Sequence, residues 1–143
     1  MIGLAYNGIS LRYLGGYMRV EEIMTRELVY VNPDTSVVEA AKRMKSANIH
    51  AVLVLQEGRL VGIVVDRDLV LKVLAEERNP NETMIKEIMT ENPITVEPET
   101  DVIEAARLMK EHRVSRLPVV EQDGRVVGIV SEVDFPTIIS KLE

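Results

Sequence analysis

Cysteine and tryptophan are missing from this chain of 143 residues, and it has only two histidines and one phenylalanine. The absence of cysteine excludes disulfides, zinc–thiolate clusters, iron–sulfur centres and thiol catalysis. His50 and His112 lie far apart in the sequence, so we expect no histidine-based metal site. No apolar run approaches the roughly 20 residues that cross a bilayer, so no membrane partner is expected. The net charge of −6 argues against nucleic acid as a partner, because non-specific binding needs a clustered basic face.

The motifs of the common catalytic classes are missing as well. The sequence contains no G-x-S-x-G elbow, no P-loop and no H-E-x-x-H, and Asp68 and Asp134 are not recognisable as an acid–base pair. We therefore predict that the protein is not an enzyme. Few glutamines and many Glu, Lys, Arg, Val and Ile residues are typical of a thermophilic, intracellular protein, so we expect a cytoplasmic location.

Apolar residues make up 46% of the chain, which is enough for a buried core and excludes wholesale disorder. The first 17 residues differ from the rest, because three of the four tyrosines and half of the glycines lie there. This stretch lacks the features of a secretory signal. We expect residues 1–18 to be an N-terminal extension, either a flexible arm or an upstream extension of a chain that starts at Met18.

The rest of the chain is a duplication. The segment that begins IMTRELVYVNPDTSVVEAAKRM at Ile23 returns as IMTENPITVEPETDVIEAARLM at Ile88, and both copies continue to a Gly-Ile-Val sequence. A period of about 65 residues is too long for common solenoid repeats and suits one supersecondary unit per copy. The duplication predicts two similar halves around a pseudo-twofold axis.

Each copy predicts the element order β-α-β-β-α. A short extended piece is followed by a helix that opens at Ser36 or Asp101, with an apolar stripe such as Val37, Ala40, Ala41 and Met44. Two apolar runs around a Gly-containing turn predict a hairpin, and a second helix begins near Asp66 or Glu132. The predicted class is α/β, with a first domain over 19–75, a linker over 76–83 and a second domain over 84–143.

Several motifs carry a family resemblance: HRVSRLPVV at His112–Val120, GIVSEVD at Gly128–Asp134, and the preceding IMT and TVEPET. They resemble the CBS domain, named after cystathionine β-synthase, whose tandem pairs form a Bateman module. The resemblance covers about residues 19–143, and the motif pattern occurs twice, once in each repeat. It implies a stand-alone regulator that requires no cofactor, binds an adenosine compound such as AMP, ADP, ATP or S-adenosylmethionine, and signals to a target protein.

The sequence Ser131-x-x-Asp134 at a strand–helix junction has two interpretations. A carboxylate can accept hydrogen bonds from two ribose hydroxyls, while a hydroxyl and helix amides suit a phosphate. The alternative is a capping box, in which both side chains serve only the helix start. The family resemblance implies the ligand roles, with Ser131 towards phosphate and Asp134 on the ribose.

The resemblance further implies two composite clefts, in which apolar side chains hold the adenine. The aspartate of each cleft comes from one repeat and the IMT loop, first strand and hairpin entry from the other. One cleft would hold Ser131 and Asp134 with Thr25, Val29, Ile49, His50 and Ala51, and the other Asp68 with Thr90, Ile94, Val114, Ser115, Arg116 and Pro118.

The two clefts are not equal in sequence, because Val65 stands where the family pattern has Ser or Thr. Arg116 offers a charge-assisted contact instead, so we expect the Asp68 cleft to prefer the more phosphorylated ligand. The alternatives are that Arg116 is a solvated charge and His50 a hydrogen-bonded surface residue.

Two further expectations concern association and a competing function. The second helices carry apolar residues that a small module leaves partly exposed, which favours a homodimer. They are Leu71, Val73, Leu74, Ile138, Ile139 and Leu142. The competing function is a structural or interaction module whose clefts bind no ligand.

Overall fold

The computed structural model describes residues 18–134, so the expectations for residues 1–17, Ile138, Ile139 and Leu142 lie outside the described residues. The chain divides into two compact units. We call Glu27–Pro93 the continuous unit. The discontinuous unit joins the chain up to Arg26 with the chain from Ile94 onward, of which 18–26 and 94–134 are described.

The continuous unit is a four-stranded sheet with one main helix. Its sheet order is β1-β2-β3-β4, with β1 parallel to β2 and the other pairs antiparallel. Its elements are β1 (Tyr30–Val31), α1 (Val37–Ala47), β2 (Ala51–Gln56), β3 (Arg59–Val65), α2 (Asp66–Leu69), a π turn (Val70–Leu74), a 3₁₀ turn (Ile85–Glu87) and β4 (Thr90–Glu91).

Local chemistry sets the ends of these elements. Ser36 Oγ accepts a hydrogen bond from the Glu39 amide at 3.1 Å and starts α1, and Asn48 ends the helix at a φ of 56°. Glu57 and Gly58 both have positive φ, as a two-residue hairpin turn requires. The predicted helix and hairpin are therefore confirmed.

The discontinuous unit repeats this plan. A 3₁₀ turn (Val20–Glu22) comes first, followed by α3 (Val102–His112), β5 (Arg116–Val120), β6 (Val126–Ser131) and a 3₁₀ turn (Glu132–Asp134). Asp101 Oδ1 caps α3 by accepting from the Ile103 amide at 2.9 Å. Bridges from Val96 to Val119 and from Thr25 to Ile129 extend the β5–β6 hairpin on both edges. The mixed α/β class is confirmed.

The exposed faces of α1 and α3 carry charged side chains, namely Glu39, Lys42, Arg43, Glu104, Arg107 and Lys110. Arg107 donates to Glu104 Oε2 and to Glu111 Oε1, both at 2.7 Å. The hydrogen bond from Arg107 lowers the pKa of Glu104, and the same bond raises the pKa of Arg107.

The segment that opens each sequence repeat packs on the other repeat. The Val20 amide donates to Thr100 O at 2.8 Å and the Val102 amide donates to Met18 O at 2.9 Å. In the continuous unit, Ile85 and Val37 make the equivalent bonds to Thr35 O and Thr83 O. Val20 and Ile85 are fully buried in the cores of these units. The structural units and the sequence repeats therefore have different boundaries.

One glycine in each hairpin leaves room for the opening segment of the other repeat, residues 20–25 or 85–90, which we call the exchanged segment. A Cβ on Gly62 would lie 3.1 Å from Thr90 O and closer still to the sulfur of Met89. A Cβ on Gly128 would lie 3.1 Å from Thr25 O and closer still to the sulfur of Met24. The Gly-Ile-Val sequences thus mark where a neighbouring backbone approaches the strand closely.

Removing the exchanged segment should unfold the continuous unit. We expect a fragment of residues 27–93 to melt cooperatively by circular dichroism and one of residues 27–83 to lack a transition. The shorter fragment loses the buried side chains of Ile85 and Ile88, each worth about 1.5–3 kcal/mol, and the β4 pairing. Equal melting temperatures for the two fragments would contradict this assignment.

Adding a side chain at Gly62 should weaken the packing of the exchanged segment on β3. We expect Gly62→Ala to lower the free energy of unfolding by about 1–3 kcal/mol, because the added methyl group overpacks the contact with Met89 and Thr90. Gly58→Asn is the control, since nothing lies within 4 Å of its Cβ position and asparagine tolerates a positive φ. Urea unfolding of the full chain measures both, and equal effects would contradict the prediction.

Candidate functional site

The two candidate carboxylates occupy the same place in each unit, just past the last strand of the hairpin. The Val65 amide at the end of β3 donates to Asp68 Oδ2 at 2.8 Å, and the Ser131 amide at the end of β6 donates to Asp134 Oδ2 at 2.9 Å. Ser131 Oγ accepts from the Val133 amide at 3.4 Å. The capping interpretation therefore fits the observed hydrogen bonds, and it leaves the second oxygen of each carboxylate for another partner.

That second oxygen distinguishes the two units. Asp68 Oδ1 lies 3.2 Å from Lys72 Nζ, which also donates to Ile88 O at 3.0 Å. Within residues 18–134, no group pairs with Oδ1 of Asp134. Lys72 was not among the predicted site residues, although its i, i+4 spacing from Asp68 was a signal that could have identified it.

In the discontinuous unit, Arg116 lies beside Ser131, because these two residues are directly paired in the β5–β6 ladder. The Glu132 amide donates to Ser115 O at 2.9 Å, and Arg116 Nη1 donates to Ser115 Oγ at 3.4 Å. Arg116 is half-buried, and no carboxylate of the described residues lies within salt-bridge distance of its guanidinium. Arg116 is therefore not fully solvated, and no acidic residue within 18–134 neutralises it.

The matching positions of the continuous unit are different in chemistry. His50 Nδ1 lies 3.0 Å from Asp66 Oδ2, and the two side chains are 63% and 54% exposed. Ala51 is buried and pairs with Val65 in the β2–β3 ladder. The geometry matches the alternative in which His50 is a hydrogen-bonded surface residue.

Each unit brings a threonine of an IMT sequence next to the hairpin that ends at a candidate aspartate. Thr25 exchanges backbone hydrogen bonds with Ile129 in the unit of Asp134, and Thr90 pairs with Ile63 in the unit of Asp68. Both threonines are exposed. Each threonine thus lies in the same unit as the aspartate with which it was grouped, and a shared ligand site stays a prediction.

The other predicted residues divide between the units. Val29 and Ile49 are half-buried in the continuous unit, where the Leu53 amide donates to Val29 O at 3.0 Å. In the discontinuous unit Ile94 is 37% exposed, Val114 is half-buried and Pro118 is buried. The grouping of residues from both repeats in one cleft stays a prediction.

Between residues 18 and 134, His, Asp and Glu side chains form no group of three or more that could hold a metal ion. In the same range, no helix has the length and apolar character needed to span a membrane.

Comparisons with known proteins give a family and solved relatives. The model of the CBS domain matches residues 20–75 and 85–140. The uncharacterized protein MK0525 of Methanopyrus kandleri is 34% identical over 129 residues, which cover 87% of this chain and 66% of that protein. This chain thus spans just under two thirds of that relative's length.

Two solved structures share the fold. The CBS domain pair of protein MJ0100, in complex with 5′-methylthioadenosine and S-adenosyl-L-methionine, has a TM-score of 0.77 and 32% identity, covering 90% of this chain and 100% of that chain. A hexameric CBS-CP12 protein from bloom-forming cyanobacteria has a TM-score of 0.80 and 31% identity, covering 85% of this chain and 68% of that chain. With two matches to the family model and these relatives, the chain belongs to the CBS domain family and carries the domain twice.

Proposed function

We propose that this CBS domain pair is a stand-alone regulatory module that binds an adenosine compound, such as AMP, ADP, ATP or S-adenosylmethionine, and signals to a target protein. The observation that carries the proposal is the same strand-end carboxylate in both units, each held by the amide of Val65 or Ser131. The MJ0100 pair, which resembles this chain over 90% of its length, was solved with two adenosine compounds. No cofactor is required by this function.

The Asp134 carboxylate is suited to a sugar. The Ser131 amide fixes Oδ2, so the carboxylate is oriented before a ligand arrives and little ordering cost remains for binding. Oδ1 has no partner among residues 18–134 and can accept from a ribose hydroxyl. Thr25, docked on the neighbouring Ile129, adds an exposed hydroxyl to the same unit.

Arg116 is suited to the anionic part of a ligand. Its ladder pairing with Ser131 places a guanidinium and a hydroxyl on adjacent strands, and side chains paired in this way share one sheet face. A half-buried guanidinium that forms no ion pair with any residue of the described part of the chain gains a charge-assisted contact from a phosphate or carboxylate. This arrangement favours a role for Arg116 beside Ser131 in the discontinuous unit, and its grouping with Asp68 stays a prediction.

Adenosine compounds should stabilise the full chain in a thermal shift assay. We expect AMP, ADP, ATP or S-adenosylmethionine at 100 times its dissociation constant to add about 2.7 kcal/mol to the free energy of unfolding. Asp134→Asn should reduce this gain, because the amide keeps the cap acceptor and loses the charge that attracts the sugar hydroxyls.

The control variant is Asp101→Asn, which changes a carboxylate that caps α3 in the same unit. It should leave the ligand response unaltered. If no adenosine compound shifts the melting temperature, the module acts through its surface alone and the proposal of a ligand sensor is wrong.

We also propose that the protein forms a homodimer through the π turn. Val70, Leu71 and Leu74 are 52%, 46% and 73% exposed and form an apolar strip. Val73, which was expected in the same strip, is buried at 6% exposure. A hexameric relative supports self-association of this kind of module. Contiguous exposed apolar surface of this kind favours pairing with a second copy.

Placing a charge in this strip should separate the copies. We expect light scattering to give a dimer for the native chain and a monomer for Leu74→Glu, because a buried unpaired carboxylate opposes association. Ile103→Glu is the matched control, since Ile103 is 39% exposed on α3. A native chain that remains monomeric with and without nucleotide would contradict the dimer.

A further inference from the structure

Lys72 connects three parts of the continuous unit. It belongs to the π turn, its Nζ lies 3.2 Å from Asp68 Oδ1, and the same Nζ donates to Ile88 O at 3.0 Å. The Asp68 side chain is 14% exposed, whereas the Lys72 side chain is 45% exposed. The ion pair therefore lies at the surface end of a carboxylate that is otherwise enclosed.

With Lys72 in place, both oxygens of Asp68 are occupied. Oδ2 accepts from the Val65 amide and Oδ1 pairs with the ammonium group. A ribose hydroxyl that replaces the ammonium at Oδ1 exchanges an ion pair between two charged groups for a hydrogen bond in which only the carboxylate is charged. Binding of an uncharged nucleoside at Asp68 thus has an energetic cost that the Asp134 carboxylate does not impose.

The ammonium group of Lys72 also offers a hydrogen-bond donor to an anionic ligand at Asp68. Nζ has three N–H donors, of which Asp68 and Ile88 use two, and within residues 18–134 no partner takes the third. A phosphate can accept from the third donor while the ion pair stays intact. It also offers the ammonium a full negative charge if Lys72 leaves Asp68.

We propose that Lys72 determines ligand specificity at Asp68, by disfavouring uncharged adenosine and favouring its phosphorylated forms. This inference rests on the proposed function and assigns its selectivity to a residue outside the family motif. The other repeat has Ile138 at the position that corresponds to Lys72, so the sequence gives that repeat no equivalent cation there. The two carboxylates then differ in the partner that an uncharged ligand must displace.

The test measures adenosine and ATP binding by titration calorimetry in the full chain carrying Asp134→Asn, so that the Asp68 site dominates the signal. We expect ATP to bind at least about tenfold more tightly than adenosine, with AMP and ADP between them. Adding Lys72→Met should raise adenosine affinity and lower ATP affinity, so that this ratio falls by about tenfold or more. Lys72→Arg, which keeps the charge, should retain the preference.

The outcomes separate this inference from the proposed function. If neither compound binds the native chain, the proposed function fails. If both bind the native chain but the ratio is the same with Lys72→Met as with Lys72→Arg, the role of Lys72 is wrong and the sensor function stands. If Lys72→Met fails to fold after losing its bond to Ile88 O, the test uses the Asp134→Asn chain with its native Lys72. Equal affinities of that chain for adenosine, AMP, ADP and ATP overturn the proposal.

Discussion

Both units depend on a short segment that the chain supplies from the other sequence repeat. Thr25 pairs with Ile129 and Thr90 pairs with Ile63, in each case against a strand whose glycine has no Cβ to obstruct the approach. Val20 and Ile85 then complete the two cores. Without this docking, each hairpin would have an unpaired edge and an open hydrophobic face.

The same docking assembles the candidate site. The strand that receives the exchanged threonine is the strand that ends at Val65 or Ser131, where the backbone amide orients the aspartate. Lys72 connects the aspartate to the exchanged segment a second time, because its ammonium contacts both Asp68 and the carbonyl of Ile88. Packing of the core and orientation of the carboxylate are therefore consequences of one arrangement.

Duplication of a unit allows its copies to diverge while the fold is kept. In both units the backbone amide at the end of the strand donates to the aspartate, whereas the charged groups near that aspartate differ. Asp68 has an ammonium partner, and the unit of Asp134 has the half-buried guanidinium of Arg116 beside Ser131. Under the proposed function, the two sites present different charged groups to a ligand.

Much of the fold could be predicted because its signals are local. Caps at Ser36 and Asp101, the apolar stripes of α1 and α3 and the Glu57-Gly58 turn each depend on neighbours a few residues away. The strand-end aspartates were identified by their repeat and their family motif. The second helix was less predictable: the π turn has more residues per turn than an α-helix, so Val73 is buried while Val70 and Leu74 are exposed.

The sequence by itself determined the duplicated elements, their class and the two carboxylates. Local chemistry does not decide which IMT segment packs on which hairpin, because VEEIMTR and IKEIMTE are nearly alike, and the grouping came from the family resemblance. The tertiary structure supplies the backbone pairings of Thr25 with Ile129 and of Thr90 with Ile63. It also decided the neighbours of the site. The β5–β6 register places Arg116 beside Ser131, and docking of the exchanged segment brings Ile88 O to Lys72. Contacts between residues distant in sequence depend on register and packing, which short-range patterns do not encode.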